Sequence, residues 1–149
     1  IHREETMSVE PRPLLVEMPI RIKTYDIDFV NHVNNIVYVR WLEDLRLHLL
    51  DTYYPLEPMR KQGIAPVIVN THIDYLRGIG LHDHEVTARM WVKRFGKATF
   101  HLGAEFCVGD EVRCTAWQRG AFVHAATMKL VRVPDGLAKQ YPGGVETVE

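Results

Sequence analysis

The chain has 149 residues with 46% hydrophobic and 25% charged side chains, the profile of one soluble globular domain. A net charge of −1 gives no electrostatic basis for holding a nucleic acid backbone. No apolar run approaches the ~18 residues a membrane-spanning helix requires, and the two cysteines, Cys107 and Cys114, fit a reducing compartment. The expected location is therefore cytoplasmic.

Residues 1–12 are polar and carry no signal-peptide pattern. Met7 reads as a candidate natural start, so residues 1–6 are set aside from the fold. Pro11, Pro13 and Pro19 make residues 1–17 irregular. From Ile20 the chain alternates, with Ile20, Ile22 and Thr24 on one face and Arg21, Lys23 and Tyr25 on the other, which predicts a strand. A turn-rich stretch with Asp28, Asn31, His32 and Asn34 follows. The spacing of Tyr38, Leu42, Leu45 and Leu49 then predicts a helix from Asn34 or Asn35 to about Tyr53. Val37, Trp41 and Leu50 widen its apolar face, and Pro55 and Pro58 stop it.

Nearly everything after the helix reads as strand: 64–76, 84–94, 99–108 and 111–125, with turns at Phe95-Gly96 and Gly109-Asp110 and a candidate bulge at Gly120. Residues 128–133 extend the last strand after a break. The Gly-rich tail 135–149 is expected to fray. The sum is a single α+β domain over 18–134, one long helix wrapped by a curved antiparallel sheet of five to six strands.

The stretch 25–35 concentrates the chemistry: two carboxylates, three amides and an imidazole at a helix N-terminus. The first N–H groups of a helix lack intrahelical acceptors, and the helix dipole adds positive potential there. On residues alone two readings stand. Asn31 or Asn34 caps those donors, or the donors polarise a carbonyl oxygen under attack.

Asp28, His32, Val33, Asn34, Asn35, Tyr38 and Glu43 resemble the motif of hotdog-fold acyl thioesterases, in particular the hydroxybenzoyl-coenzyme A thioesterase-like branch and its acyl-carrier-protein relatives. The likeness covers residues 19–134 and departs at Asn31, where the family usually has Gly. It implies an acyl-CoA or acyl-ACP thioester as substrate, with no cofactor beyond the coenzyme A of the substrate itself. It assigns Asp28 as general base or nucleophile and the Asn35 N–H as oxyanion donor. His32 serves either the substrate or the loop. Asn34 and Tyr38 are candidate substrate contacts. Relatives place basic residues where Lys93, Arg94 and Lys97 stand, against the phosphates of coenzyme A. The family site forms between subunits, so a homodimer or homotetramer is expected. Two alternatives accompany this reading: a non-catalytic acyl-thioester sensor and a hotdog hydratase or dehydratase. A metal site at His82 and His84 is discounted because no cluster of further ligands completes it.

Overall fold

The structure is a computed structural model and describes residues 11–145. Strand β1 (Val16–Arg21) leads through a short 3-10 turn, Thr24–Asp26, and a tight loop into helix α1 (Asn35–Tyr53). A second helix, α2 (Leu56–Lys61), precedes the strands β2 (Ile64–Tyr75), β3 (Glu85–Phe95), β4 (Thr99–Val108) and β5 (Glu111–His124), and α3 (Asp135–Ala138) follows them. The five strands form one antiparallel sheet in the order β1-β3-β4-β5-β2.

Alternation explains the layers. Val86, Ala88, Met90 and Val92 of β3 and Phe100, Leu102, Ala104 and Phe106 of β4 are all buried. They share a core with Tyr38, Trp41, Leu42, Leu45 and Leu49 of α1. The helix is not covered all round: Ile36, Val39 and Leu47 stay exposed on one stripe.

Several boundaries differ from expectation for physical reasons. β1 starts four residues before Ile20 and runs through Pro19. That is possible because β1 is an edge strand, where a missing N–H need not break a ladder. Pro55 and Pro58 end α1 yet open α2, since a proline in a first helical turn lacks only a donor that has no partner anyway. Met59 of α2 is fully buried. The bulge lies in β2 between Ile68 and Asn70, opposite Gly120, rather than in β5. Residues 128–133 contribute one isolated bridge, Val123 to Leu130, not a strand. The tail packs as far as Val145: Leu137 is buried, the Tyr141 ring stands edge-on to Phe95, and Val145 lies partly buried against the core. Of the segments set apart in sequence, residues 1–10 and 146–149 lie outside the described residues.

Candidate active site

The loop between β1 and α1 is a miniature hairpin. Asn34 N–H donates to the Asp26 carbonyl (2.8 Å), Ile27 bridges Val33, and Asp28 N–H donates to the His32 carbonyl (2.8 Å). Asp26 is buried and its Oδ2 accepts from Lys23 N–H at 2.9 Å, so this carboxylate anchors the loop. Asp28 sits at the turn. Its Oδ1 accepts from Val30 N–H (3.0 Å) and His32 N–H (3.1 Å), while neither bond uses Oδ2. Asn31 takes φ +67°, the conformation that a Gly would tolerate most easily and Asn next.

The hairpin hands the chain to α1 through Asn34. Its side-chain oxygen accepts from Ile36 N–H (3.0 Å) and its carbonyl accepts from Val37 N–H (2.9 Å). Of the first three helical donors, Asn35 N–H alone has no acceptor among the described residues. The capping reading is the one the geometry shows: Asn34 caps two donors, and one N–H is left at the positive end of the dipole. The Tyr75 hydroxyl donates to the Asn35 carbonyl from the other side at 3.4 Å.

The structure thus gathers Asp28, His32, Asn34 and Asn35 within one loop and its helix start. Tyr38 lies one turn further, 2% exposed, edge-on to Trp41, Tyr75 and Phe106 at 5.2–5.7 Å between ring centres. Burial raises its phenol well above the ordinary value, so it stays neutral. Lys93, Arg94 and Lys97 stand elsewhere. The loop leaves the sheet where Arg21 pairs with Glu85, and the basic group lies at the other end of β3, where Arg94 pairs with His101. At ~3.3 Å per residue that separation is on the order of 25–30 Å.

Some participants were not apparent in sequence. The segment after β2 lies alongside the hairpin: Val33 N–H donates to the Ile79 carbonyl at 2.7 Å. Gly78 is so close to His32 that a Cβ there would stand 2.8–2.9 Å from three atoms of the imidazole. Arg113, 8% exposed, donates through Nη1 to the Gly78 carbonyl (2.7 Å) and pairs with Asp83 (3.3 Å) and Glu111 (2.6 Å). The only sequence signal for this arrangement was a pair of glycines, Gly78 and Gly80, closing a strand.

Other candidates resolve differently. Cys107 pairs in register with Val112 and Cys114 with Phe106, so the two buried thiols do not oppose each other. Burial pushes the Cys114 thiol up to about 12. His82 belongs to a 3-10 turn and His84 takes φ +66°, so the two do not alternate along a strand. A small apolar cavity of about 40 Å³ lies under the C-terminal half of α1, against Phe95, Phe100, Phe122 and Leu137. Val37 and Trp41 do not line it and face a groove beside β1 instead.

Comparison with known proteins places these features in a family. The model of the thioesterase-like superfamily matches residues 22–141. Long-chain acyl-CoA thioesterase FadM of Escherichia coli is 34% identical over 68 residues, 46% of this chain and 52% of that protein. The match thus spans about half the length of the curated relative. Among solved structures, the probable thioesterase YbaW of Escherichia coli superposes with TM-score 0.74 at 24% identity, over 83% of this chain and 94% of that one. DHNA-CoA thioesterase of Staphylococcus aureus gives 0.73 at 19%, over 86% and 84%. A hypothetical Staphylococcus aureus protein in complex with CoA gives 0.79 at 16%, over 95% and 92%. At such identities the likeness establishes the fold, one long helix against an antiparallel sheet in the hotdog arrangement. Together with the family match over most of its length, this makes the chain a member of the thioesterase-like superfamily.

Proposed function

We propose that the protein hydrolyses an acyl thioester of coenzyme A, or of acyl-carrier protein, to a free acid and a thiol. The observation that carries this reading is the unpartnered Asn35 N–H at the start of α1, next to a hairpin that presents the Asp28 carboxylate. Family membership and the acyl-CoA thioesterase relative support the same reaction class. In one route Asp28 takes a proton from water as the water oxygen bonds to the acyl carbon. The carbonyl oxygen gains charge and is held by the Asn35 N–H. The carbon–sulfur bond then breaks, and the thiolate leaves and is protonated. In the other route the Asp28 carboxylate attacks the carbon itself, the carbon–sulfur bond breaks and the thiolate leaves, and water later cleaves the resulting mixed anhydride to the free acid and the Asp28 carboxylate. Neither needs a metal or an organic cofactor.

The reading includes a second copy of the chain. β2 is a twelve-residue edge strand with exposed Val69, and the apolar stripe Ile36, Val39 and Leu47 adds an uncovered helix face. Long uncovered edges of this kind invite pairing. A two-fold axis that pairs β2 with itself antiparallel sets the Ile64 end of one copy against the Tyr75 end of the other. The second copy's Lys93, Arg94 and Lys97 then lie on the same side of the assembly as this copy's Asp28, rather than at the far end of the sheet. Those cations would meet the carrier's phosphates, and a tetramer would be two such dimers. Two buried free cysteines accord with a cytoplasmic setting.

The test is a panel of acyl-CoA thioesters from acetyl to palmitoyl, with aromatic acyl groups included and release of free thiol as the readout. An enzyme of this class releases thiol from at least one member and loses that activity on Asp28→Asn. Stoichiometric binding with no thiol released from any member would support the sensor reading instead.

A further inference from the structure

We infer that the segment from Gly78 to Gly80, held by Arg113 and Asp83, is a positioning device for the His32 imidazole. The inference rests on the proposed hydrolysis only for its catalytic consequence; the geometry stands without it. The segment is fastened on two sides. Toward the hairpin, Ile79 accepts from Val33 N–H at 2.7 Å, and a Cβ on Gly80 would come within 3.2 Å of the Asn31 carbonyl oxygen. Away from the hairpin, Arg113 Nη1 donates to the Gly78 carbonyl at 2.7 Å, and Asp83 Oδ2 accepts from Gly80 N–H at 2.9 Å. Arg113 and Asp83 are themselves paired, and both side chains are about nine-tenths buried. The fastening is therefore a largely buried ion pair that also holds the Gly78 and Gly80 backbone, with Arg113 Nε donating to the half-exposed Glu111 at 2.6 Å, a stiffer arrangement than an isolated surface pair.

Between the two fastenings lies Gly78, and the imidazole of His32 rests directly on it. Three ring atoms, Cε1, Nδ1 and Nε2, fall within 2.9 Å of where a Cβ would stand, so a side chain at position 78 turns the exposed His32 ring away from the place it occupies beside the glycine. Because Val33 is tied to Ile79 and Asp28 to His32, a ring displaced here sits one residue from the strut that aligns Asp28 with the helix start. Arg113 touches neither His32 nor Asp28 by hydrogen bond; it acts through the Gly78 carbonyl. In chain order these groups are 32, 78, 83 and 113.

The test compares Gly78→Ala in the native and His32→Ala backgrounds, using the full chain and the best acyl-CoA of the panel. Alongside it, the imidazole Cε1–H resonance of His32 is followed by NMR at fixed pH. Gly78→Ala is expected to move that resonance, to lower kcat about tenfold or more, and to leave KM within about twofold. It should add little in the His32→Ala background, because the group it displaces is gone. Arg113→Lys keeps a cation beside Asp83 but shortens its reach to Gly78, and should move the same resonance less far. It serves as the second variant if Gly78→Ala does not fold. The proposal is overturned by an unmoved His32 resonance in a folded variant, by native kcat in Gly78→Ala, or by equal kcat losses with and without His32. Were the protein to cleave no thioester, the resonance would still decide whether the segment positions the ring.

Discussion

The amide of Asn34 donates to the carbonyl of Asp26 at 2.8 Å, and this one bond closes the hairpin that carries Asp28 while fixing where α1 begins. The Asp28 carboxylate and the Asn35 N–H, seven residues apart in sequence, are thereby held in one unit. Asp28 has two jobs within it. Its Oδ1 holds the turn through Val30 and His32, and in the proposed reaction its charge serves the chemistry.

Those jobs separate by substitution. Asp28→Asn keeps an oxygen for Val30 and His32 but removes the base. It should lower kcat by about 10²–10⁴-fold, the range of a lost general acid–base group, with an unchanged melting temperature. Asp28→Ala removes the turn bonds as well. It should lose as much activity and also about 1 kcal/mol of stability, as for a typical lost hydrogen bond. Thiol-release kinetics beside calorimetry check both. Native kcat in folded Asp28→Ala would remove Asp28 from the reaction.

Asn31 holds φ +67° next to these groups. Asn31→Gly should be neutral or slightly stabilising, because Gly reaches this conformation without steric penalty. Asn31→Val should destabilise by about 1–2 kcal/mol, the cost of a Cβ in the left-handed region, and should lower kcat by distorting the hairpin. Urea midpoints of the two variants against the native chain measure the difference.

Acid should loosen the sheet through Glu105. Burial alone would raise this carboxyl, but Arg12 and Arg89 donate to it at 2.9–3.1 Å and lower it below its ordinary 4.5. A carboxylate whose folded-state value is depressed stabilises fully above the unfolded value and loses that contribution as pH falls through the folded one. Glu105→Gln should therefore be less stable than the native chain at pH 7, and the gap should close below about pH 4.5. Asp83, where burial is likewise outweighed by Gly80 and Arg113, leaves the variant a residual acid slope. Urea midpoints of both proteins across pH 3–7 test the sign; a gap that widens on acidification would contradict it.

Local rules carried much of this fold. The apolar spacing Tyr38, Leu42, Leu45, Leu49 and the Asn34 cap mark α1 within a residue at its start, and the two turns bracket β4 at its observed ends. Where one residue type has two uses, sequence misleads: Pro19 sits inside an edge strand and Pro58 inside a first helical turn, though each read as a breaker. The site was legible in its contiguous part, residues 28–35. Gly78 and Arg113 were not, because a glycine under an imidazole 46 positions away leaves no local pattern. Nor does spacing along the chain tell that Lys93, Arg94 and Lys97 lie at the far end of the sheet from Asp28.

That last separation ties the proposed phosphate contact to the proposed assembly, because within one chain the basic group lies at the far end of the sheet from Asp28. If the carrier's phosphates meet the basic end of a second copy, breaking the pairing must weaken binding of the whole thioester while leaving each subunit folded. Leu47 and Val39 are exposed on α1 and contribute nothing to the core of the single chain. Leu47→Glu and Val39→Glu should thus keep the native circular dichroism and lose less than about 0.5 kcal/mol of intrinsic subunit stability, as surface changes do. In the assembly each places a charge in an apolar contact, unfavourable on both sides of a two-fold axis. Light scattering should show a shift from dimer toward monomer, with kcat/KM for acyl-CoA falling in step with the dimer fraction. Lys97→Glu, by contrast, should leave the dimer intact. It should raise KM for acyl-CoA more than for a pantetheine thioester that lacks the nucleotide phosphates, with the difference shrinking as salt screens the charges. A monomeric Leu47→Glu protein with native kcat/KM would place the entire site within one chain and remove the basic end from it.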